Sequence, residues 1–391
     1  MTTFDDITVR RAELAKLYLI ALKAQPGRPL ALFAPRRVGK THFLTSDLAP
    51  VAKTAGMLPV YADLWLSRND PLAAVNHALE ETLDDALVPK TSAGKTAKTP
   101  VKKVVVFGSG VDLGDAPARR GLPLDAGLRF DALVTRLAAA ANKQIVLMLD
   151  GFQVMANVQN ANDLLGKVRA VLQKNKTLVF AVFTGSSQTE LGTMMASAGA
   201  PMYQFTQILT FPNLDTDYLM LLAAHYQQVH KEKSLVPADL ERIFAHIGWK
   251  PAMMKDLIKA MSADGITDVD IGLKMFLADV RNVQEWQGLF DSLQPLAQAV
   301  LVLISHKIAP LSKPATDALL KEPGLAATQP KIRYAVDRLR QEQILAKPEH
   351  STTFILQDQL FADYLAQKYI TNYLTRAKAG ISAAAGTKQI K

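Results

Sequence analysis

Through the first half of the chain, short apolar runs alternate with stretches of helical period. The segment RRAELAKLYLIALKA (10–24) sets Leu14, Leu17, Tyr18, Ala21 and Leu22 at i, i+3, i+4, i+7 and i+8, which predicts a helix with that face inward. LALFA (30–34) reads as a buried strand, with a helix opening after Lys40. LPVYADLW (58–65) is a second strand and LAAVNHALEETLDDAL (72–87) a helix. FDALVTRLAAAANK (130–143), QIVLMLD (144–150), ANDLLGKVRAVLQKN (161–175) and TLVFAVFTGS (177–186) continue as helix, strand, helix and strand. Short apolar strands separated by helices belong to a parallel sheet with crossover connections, so the fold class is α/β.

The pattern breaks over 88–128. VPKTSAGKTAKTPVKK is basic and rich in Thr and Ala, the composition of a flexible, solvated loop. KKVVVFGSGVDLG then reads as a strand with a glycine turn, and a β-hairpin insertion is expected. Its Gly108-Ser109-Gly110 is not a dinucleotide fingerprint, because prolines follow where that motif requires a helix N-terminus.

Beyond 212 the chain turns helical. LDTDYLMLLAAHYQQV, ADLERIFAHIG, PAMMKDLIKAM and DIGLKMFLADV predict a small helical lid over 213–288. LQPLAQAVLVLISH, KPATDALLK and TQPKIRYAVDRLRQEQIL predict three helices, and AKPEHSTTFILQ a short β-ribbon. That is the order of a winged helix-turn-helix, assigned to 289–372. The end, RAKAGISAAAGTKQIK, lacks acids and is rich in small residues, so 373–391 is expected to be a disordered basic tail.

A chain of 391 residues, 49% hydrophobic and 21% charged, suits two or three soluble globular domains. The absence of cysteine excludes disulfides, thiolate zinc sites and cysteine nucleophiles. The seven histidines show no H-E-x-x-H spacing, which argues against a metal hydrolase. MTTFDDITVRRAEL carries acids and no apolar core, so no signal peptide is expected there, and no apolar run approaches the roughly 20 residues of a membrane span. The expected compartment is the cytoplasm, with no membrane partner. A formal net charge of +9 favours a polyanion such as nucleic acid.

The candidate chemistry begins at APRRVGKT (34–41), which matches the phosphate-loop pattern G-x-x-x-x-G-K-[ST] except that Ala34 stands for the first glycine. Such a loop aims backbone N–H groups at phosphates from a strand-to-helix turn. Ala34, Pro35, Arg36, Arg37, Val38, Gly39, Lys40, Thr41 and His42 are therefore the candidate ATP-binding residues. Lys40, expected to be exposed, would neutralise the β- and γ-phosphates, and the Thr41 hydroxyl would ligate Mg²⁺. Alanine at the first position is tolerable where the backbone keeps a negative φ.

A second Mg²⁺ group is needed at the end of a neighbouring strand, and QIVLMLDGFQ supplies Asp150. Thr184, with Ser186 and Ser187, ends the next strand, where hydroxyls could sense the γ-phosphate. Asp150 and Thr184 are the candidate catalytic residues. The position after Asp150, where many P-loop ATPases carry the glutamate that activates water, is Gly151. No arginine lies between Arg169 and Arg242, where a subunit-bridging finger would be expected. Both absences predict slow hydrolysis. Gly151→Glu should then raise it, provided Gly151 does not hold a positive φ; Asp63 is the alternative base.

APRRVGKT, VYADLW, DGFQ from Asp150, FTGSS, GWKP (248–251) and the winged-helix pattern together resemble the archaeal-type ATPases of the AAA+/STAND superclass. That group commonly shows G-P-R-R-x-G-K-T and D-E-[FA]-Q. ITVRRAEL (7–14) is similar to its N-terminal R-x-x-E-L element, which packs beside the adenine. The resemblance covers most of 5–370 and implies a P-loop nucleotide domain over 1–212 that binds ATP and Mg²⁺. It also implies a lid and a winged helix that passes nucleotide state to a partner. Gly151 in place of the glutamate implies a slow ATPase or a nucleotide switch.

In the third helix of the winged unit, Ile332, Ala335, Val336 and Leu339 form the buried face. Lys331, Arg333, Arg338 and Arg340 are left outward as candidate DNA-binding residues. No aromatic or Asn/Gln base-reading set accompanies them, so double-stranded DNA and a protein remain alternative partners, and self-association is open.

Overall fold

The computed structural model describes residues 3–35, 37–87, 121–185, 195, 199–342, 344–347, 351 and 353–388. Arg36, Ser186, Ser187 and the strand and glycine turn expected within 88–120 lie outside the described residues. The chain divides into two compact units, one of Arg10–Ala34 and Lys40–Phe211, the other of Met1–Val9, Pro35–Gly39 and Pro212–Lys391.

The first unit is built on a parallel sheet of β1 (Leu30–Phe33), β2 (Leu58–Asp63), β3 (Ile145–Asp150), β4 (Val179–Gly185) and β5 (Gln207–Thr210), in the order β2-β3-β4-β1-β5. β1 and β4 are buried throughout and β3 up to its last residue, as their unbroken apolar runs require. The unit also holds helices α1 (Ala12–Ala24), α2 (Lys40–His42), α3 (Ala49–Thr54), α4 (Pro71–Leu87), α5 (Ala126–Ala141) and α6 (Ala161–Lys174). A π-helical stretch, Phe43–Leu48, joins α2 to α3.

Three details differ from expectation. α1 buries Ala15, Tyr18, Leu19 and Leu22, while Leu17 is 61% exposed. Apolar residues surround this helix almost completely, so periodicity could not choose the face; Tyr18 settles it by meeting the Phe43 ring edge-on at 5.4 Å. α5 begins inside the expected insertion, because the Asp125 carboxylate caps it by accepting from the N–H groups of Gly127 and Leu128, each at 2.9 Å. β5 is a four-residue strand pairing with β1 at the sheet edge, with Ile208 exposed.

The second unit holds α7 (Thr216–Val229), α8 (Pro237–His246), α9 (Pro251–Asp264), α10 (Val269–Ala278) and α11 (Val280–Asp291). These are followed by α12 (Pro295–Ser305), α13 (Lys313–Leu320) and α14 (Gln329–Gln341). The antiparallel ribbon β6 (Leu345–Ala346) and β7 (Ile355–Leu356) leads to α15 (Gln359–Lys368) and α16 (Asn372–Lys388). The expected order of three helices and a ribbon is present. The expected boundary at 288 is not a break in packing, since one hydrophobic core runs from Leu219 through Phe290 to Leu374.

Of the segment read as a disordered tail, 373–388 is helical, with Tyr373, Leu374 and Ala377 buried; spaced i, i+1 and i+4, they form a narrow stripe that small residues flank. Met1–Val9, assigned by sequence to the nucleotide domain, groups with this second unit: Phe4 packs edge-on against His225 at 4.3 Å, and Lys259 Nζ donates to Asp5 at 2.9 Å. Two further pairs fasten α8 and its following turn to the α15 region. His246 Nε2 lies 2.7 Å from Asp363 Oδ2, and the buried Lys250 lies 3.4 Å from Asp358, which also caps α15.

Candidate functional site

Parallel strands end together, and Phe33, Asp63, Asp150 and Gly185 mark the C-terminal edge of β1 to β4, where open α/β sheets bind ligands. Ala34 stays tied to this edge, its N–H donating to the Gly185 carbonyl at 3.4 Å. Its φ is not positive; the left-handed positions of the loop are Arg37 (65°) and Gly39 (94°). Ala34 therefore costs the loop no backbone strain, and Gly39 answers a real conformational demand. Val38 is buried, whereas Pro35, Arg37, Thr41 and His42 are exposed. Lys40 is buried rather than exposed, with its Nζ donating to the Ala34 carbonyl at 2.7 Å.

Asp150 is the hub of the site. Its Oδ2 accepts from Thr41 Oγ1 at 2.5 Å and from Tyr61 OH at 3.1 Å, and its Oδ1 accepts from Thr184 Oγ1. Thr184 is fully buried and its hydroxyl is committed to the carboxylate, so it positions Asp150 instead of sensing a phosphate directly. Tyr61 was not foreseen. Burial, then the neighbouring Asp150 charge, raises its phenol pKa, which keeps it a proton donor. The signal was a tyrosine two residues before the end of the strand beside QIVLMLD.

Gly151 has φ 78° and ψ 35°, and a Cβ there would lie 2.6 Å from both Cδ1 and Nε1 of Trp65. The proviso on Gly151→Glu thus fails: the position is left-handed and roofed by an indole. Asp63, paired in register with Asp150, accepts from Trp65 N–H at 3.0 Å and caps the turn Leu64–Ser67.

Thr41 and Asp150 present oxygens side by side. Among the described residues no cluster of three or more His, Cys, Asp or Glu could cage a metal. This sparse donor set fits Mg²⁺, which binds through one or two protein oxygens and completes its shell with phosphate and water. From the R-x-x-E-L-like segment, Arg10 Nε donates to Asp47 at 2.7 Å, and Arg11 lies 4.7 Å from the Phe211 ring centroid.

On α14 the expected face is buried, but the four basic residues do not form one outward stripe. At 3.6 residues per turn, Lys331 and Arg338 share one flank and Arg333 and Arg340 the other, roughly 160° away. Arg338 Nε donates to Glu342 at 2.8 Å and Arg340 to Asp337 at 3.5 Å, so each flank is part-neutralised.

The whole fold is similar to the Walker-type ATPase PABY2304 of Pyrococcus abyssi, at 15% identity over 92% of this chain and 96% of that one, with a TM-score of 0.55. It is also similar to the ORC2 protein of Aeropyrum pernix, solved as ADPNP–ADP complexes, at 16% identity over 95% and 93% of the two chains and a TM-score of 0.52. No protein-family model matches the sequence, and no curated protein does. The likeness establishes the fold: this chain has the α/β P-loop architecture of these ATPases. No helix among the described residues is long and apolar enough to cross a membrane.

Proposed function

We propose that the chain is an AAA+/STAND-type nucleotide switch. It binds ATP and Mg²⁺ through Lys40, Thr41 and Asp150 and passes the nucleotide state to a C-terminal winged helix formed by α12 to α14 and the β6–β7 ribbon. The observation that carries this reading is the convergence of Thr41, Thr184 and Tyr61 on Asp150 next to a buried loop lysine. The similar ORC2 protein, solved as ADPNP–ADP complexes, is in line with it. When bound, Mg²⁺ would neutralise phosphate charge; the chain's own part is to aim Lys40 and the two oxygens and to keep Asp150 fixed. Gly151 offers no base, so hydrolysis is slow and the nucleotide acts as a lasting signal.

Mg-ATP at about 100 times its Kd should stabilise the chain by about 2.7 kcal/mol. Lys40→Met, which keeps the buried stem, should abolish that gain. A variant that retains it would remove Lys40 from the site.

The winged helix contacts duplex DNA in this reading, with Arg333 the most available of Lys331, Arg333, Arg338 and Arg340. A second reading, a protein partner, is favoured by the acid pairing of Arg338 and Arg340 on their own helix.

A further inference from the structure

A cavity of about 660 Å³ runs along one flank of α14. Lys331, Tyr334, Ala335, Arg338, Leu339 and Glu342 line it at i, i+3, i+4, i+7, i+8 and i+11, a stripe about 16 Å long at 1.5 Å per residue. Leu293, Leu296, Leu325 and Ile344, half-buried, give it an apolar wall as well. Lys331 Nζ gives one hydrogen bond, to the Ala326 carbonyl at 3.1 Å, and Arg338 engages Glu342 through Nε. Protons of both cations therefore remain for an anionic guest at the rim.

We infer that this groove docks an acidic amphipathic helix of a partner protein. The apolar wall calls for aliphatic anchors, and three turns of α14 match a partner's anchors at i, i+4 and i+7. Lys331, with the Arg338 protons that Glu342 leaves over, complements glutamates flanking those anchors. Tyr334 is 67% exposed and Leu289 39% exposed at the groove's edge. A helix lying along the groove covers both, whereas a small acid sunk in the floor would leave them in water. Duplex DNA gains nothing from a leucine-lined wall. The inference rests on the protein-partner reading of the C-terminal element and is independent of the nucleotide site.

The test uses a fluorescein-labelled designed helix of about 16 residues, with Leu at i, i+4 and i+7 and Glu on the flanks, titrated with the full chain and followed by anisotropy. A twin peptide carries Lys in place of Glu. The Glu peptide should bind saturably, and the Lys peptide at least about tenfold more weakly. Tyr334→Ala and Lys331→Glu, both at exposed positions, should each weaken the Glu peptide about fivefold or more with unchanged melting temperature. Equal binding of the two peptides, no binding, or variants without effect would overturn the proposal. So would dodecanoate or duplex DNA occupying the groove while the Glu peptide does not. Mg-ATP stabilisation, measured on the same samples, reports on the nucleotide site separately, so either idea can fail without the other.

Discussion

Gly151 lies beneath the indole of Trp65, so close that any β-carbon would fall 2.6 Å from the ring. With its φ of 78°, the residue after Asp150 is glycine for two reasons, backbone and space. Gly151→Glu should therefore fail to raise hydrolysis. Left-handed strain costs about 1–3 kcal/mol and overpacking about as much again. Thermal denaturation should show a fall of about 5 °C or more, alongside unchanged or lower phosphate release. Adding Trp65→Ala should recover the packing share of the loss and leave the backbone share.

The hydroxyls around Asp150 predict a Mg²⁺-dependent phenotype. Thr184→Val keeps the shape at a fully buried site and removes one donor to the carboxylate. Losing a hydrogen bond to a charged group costs about 1.5–3 kcal/mol, so affinity for Mg-ATP should drop tenfold or more. Tyr61→Phe should act in the same direction and more weakly, its bond being longer at 3.1 Å. Calorimetric titration with and without Mg²⁺ checks this. A loss of equal size in EDTA would assign both residues to packing instead.

Lys250 and Asp358 should respond asymmetrically. Asp358→Ala leaves a buried ammonium unpaired and uncaps α15, costing about 3 kcal/mol or more, whereas Lys250→Met leaves the cap in place and should cost much less. Burial lowers the Lys250 pKa from 10.5, with Asp358 opposing the shift. The unfolded chain therefore holds this proton more tightly than the folded one. Between the lowered folded value and 10.5, stability rises with pH, so wild type should gain on Lys250→Met across that window. Urea denaturation at stepped alkaline pH reads the difference; a falling wild-type advantage would contradict the assigned burial.

If α14 meets duplex DNA through Arg333, Arg333→Glu should weaken binding and reduce the log–log salt slope by roughly 0.9 for each phosphate no longer neutralised. Filter binding across a salt series measures both. Wild-type chain without duplex affinity at low salt, with or without ATP, would leave the protein-partner reading.

Legibility in the sequence followed burial. β1, β3 and β4 are wholly or almost wholly enclosed, so their apolar runs announced them, and the loop after β1 with the ends of β3 and β4 delivered Thr41, Asp150 and Thr184 together. β5 was missed because an edge strand of four residues with Ile208 in solvent leaves little pattern. The face of α1 was misread because nearly every side of it is apolar. Tyr61 escaped because its role is set by a partner 89 positions away, which local spacing does not encode. The roofing of Gly151 by Trp65 is hidden for the same reason.

The pairing of Asp5 with Lys259 sets an order of events during synthesis. These residues are 254 positions apart, and the first nine residues group with a unit whose remainder is mostly made last. At about 5–20 residues per second, Asp5 waits about 13–50 s for Lys259. Until residue 225 is made Phe4 has no His225 to pack against, whereas the sheet of the first unit, whose last strand ends at Thr210, can close before then. A fragment ending near 212 would keep this early condition permanently, with its leading segment undocked.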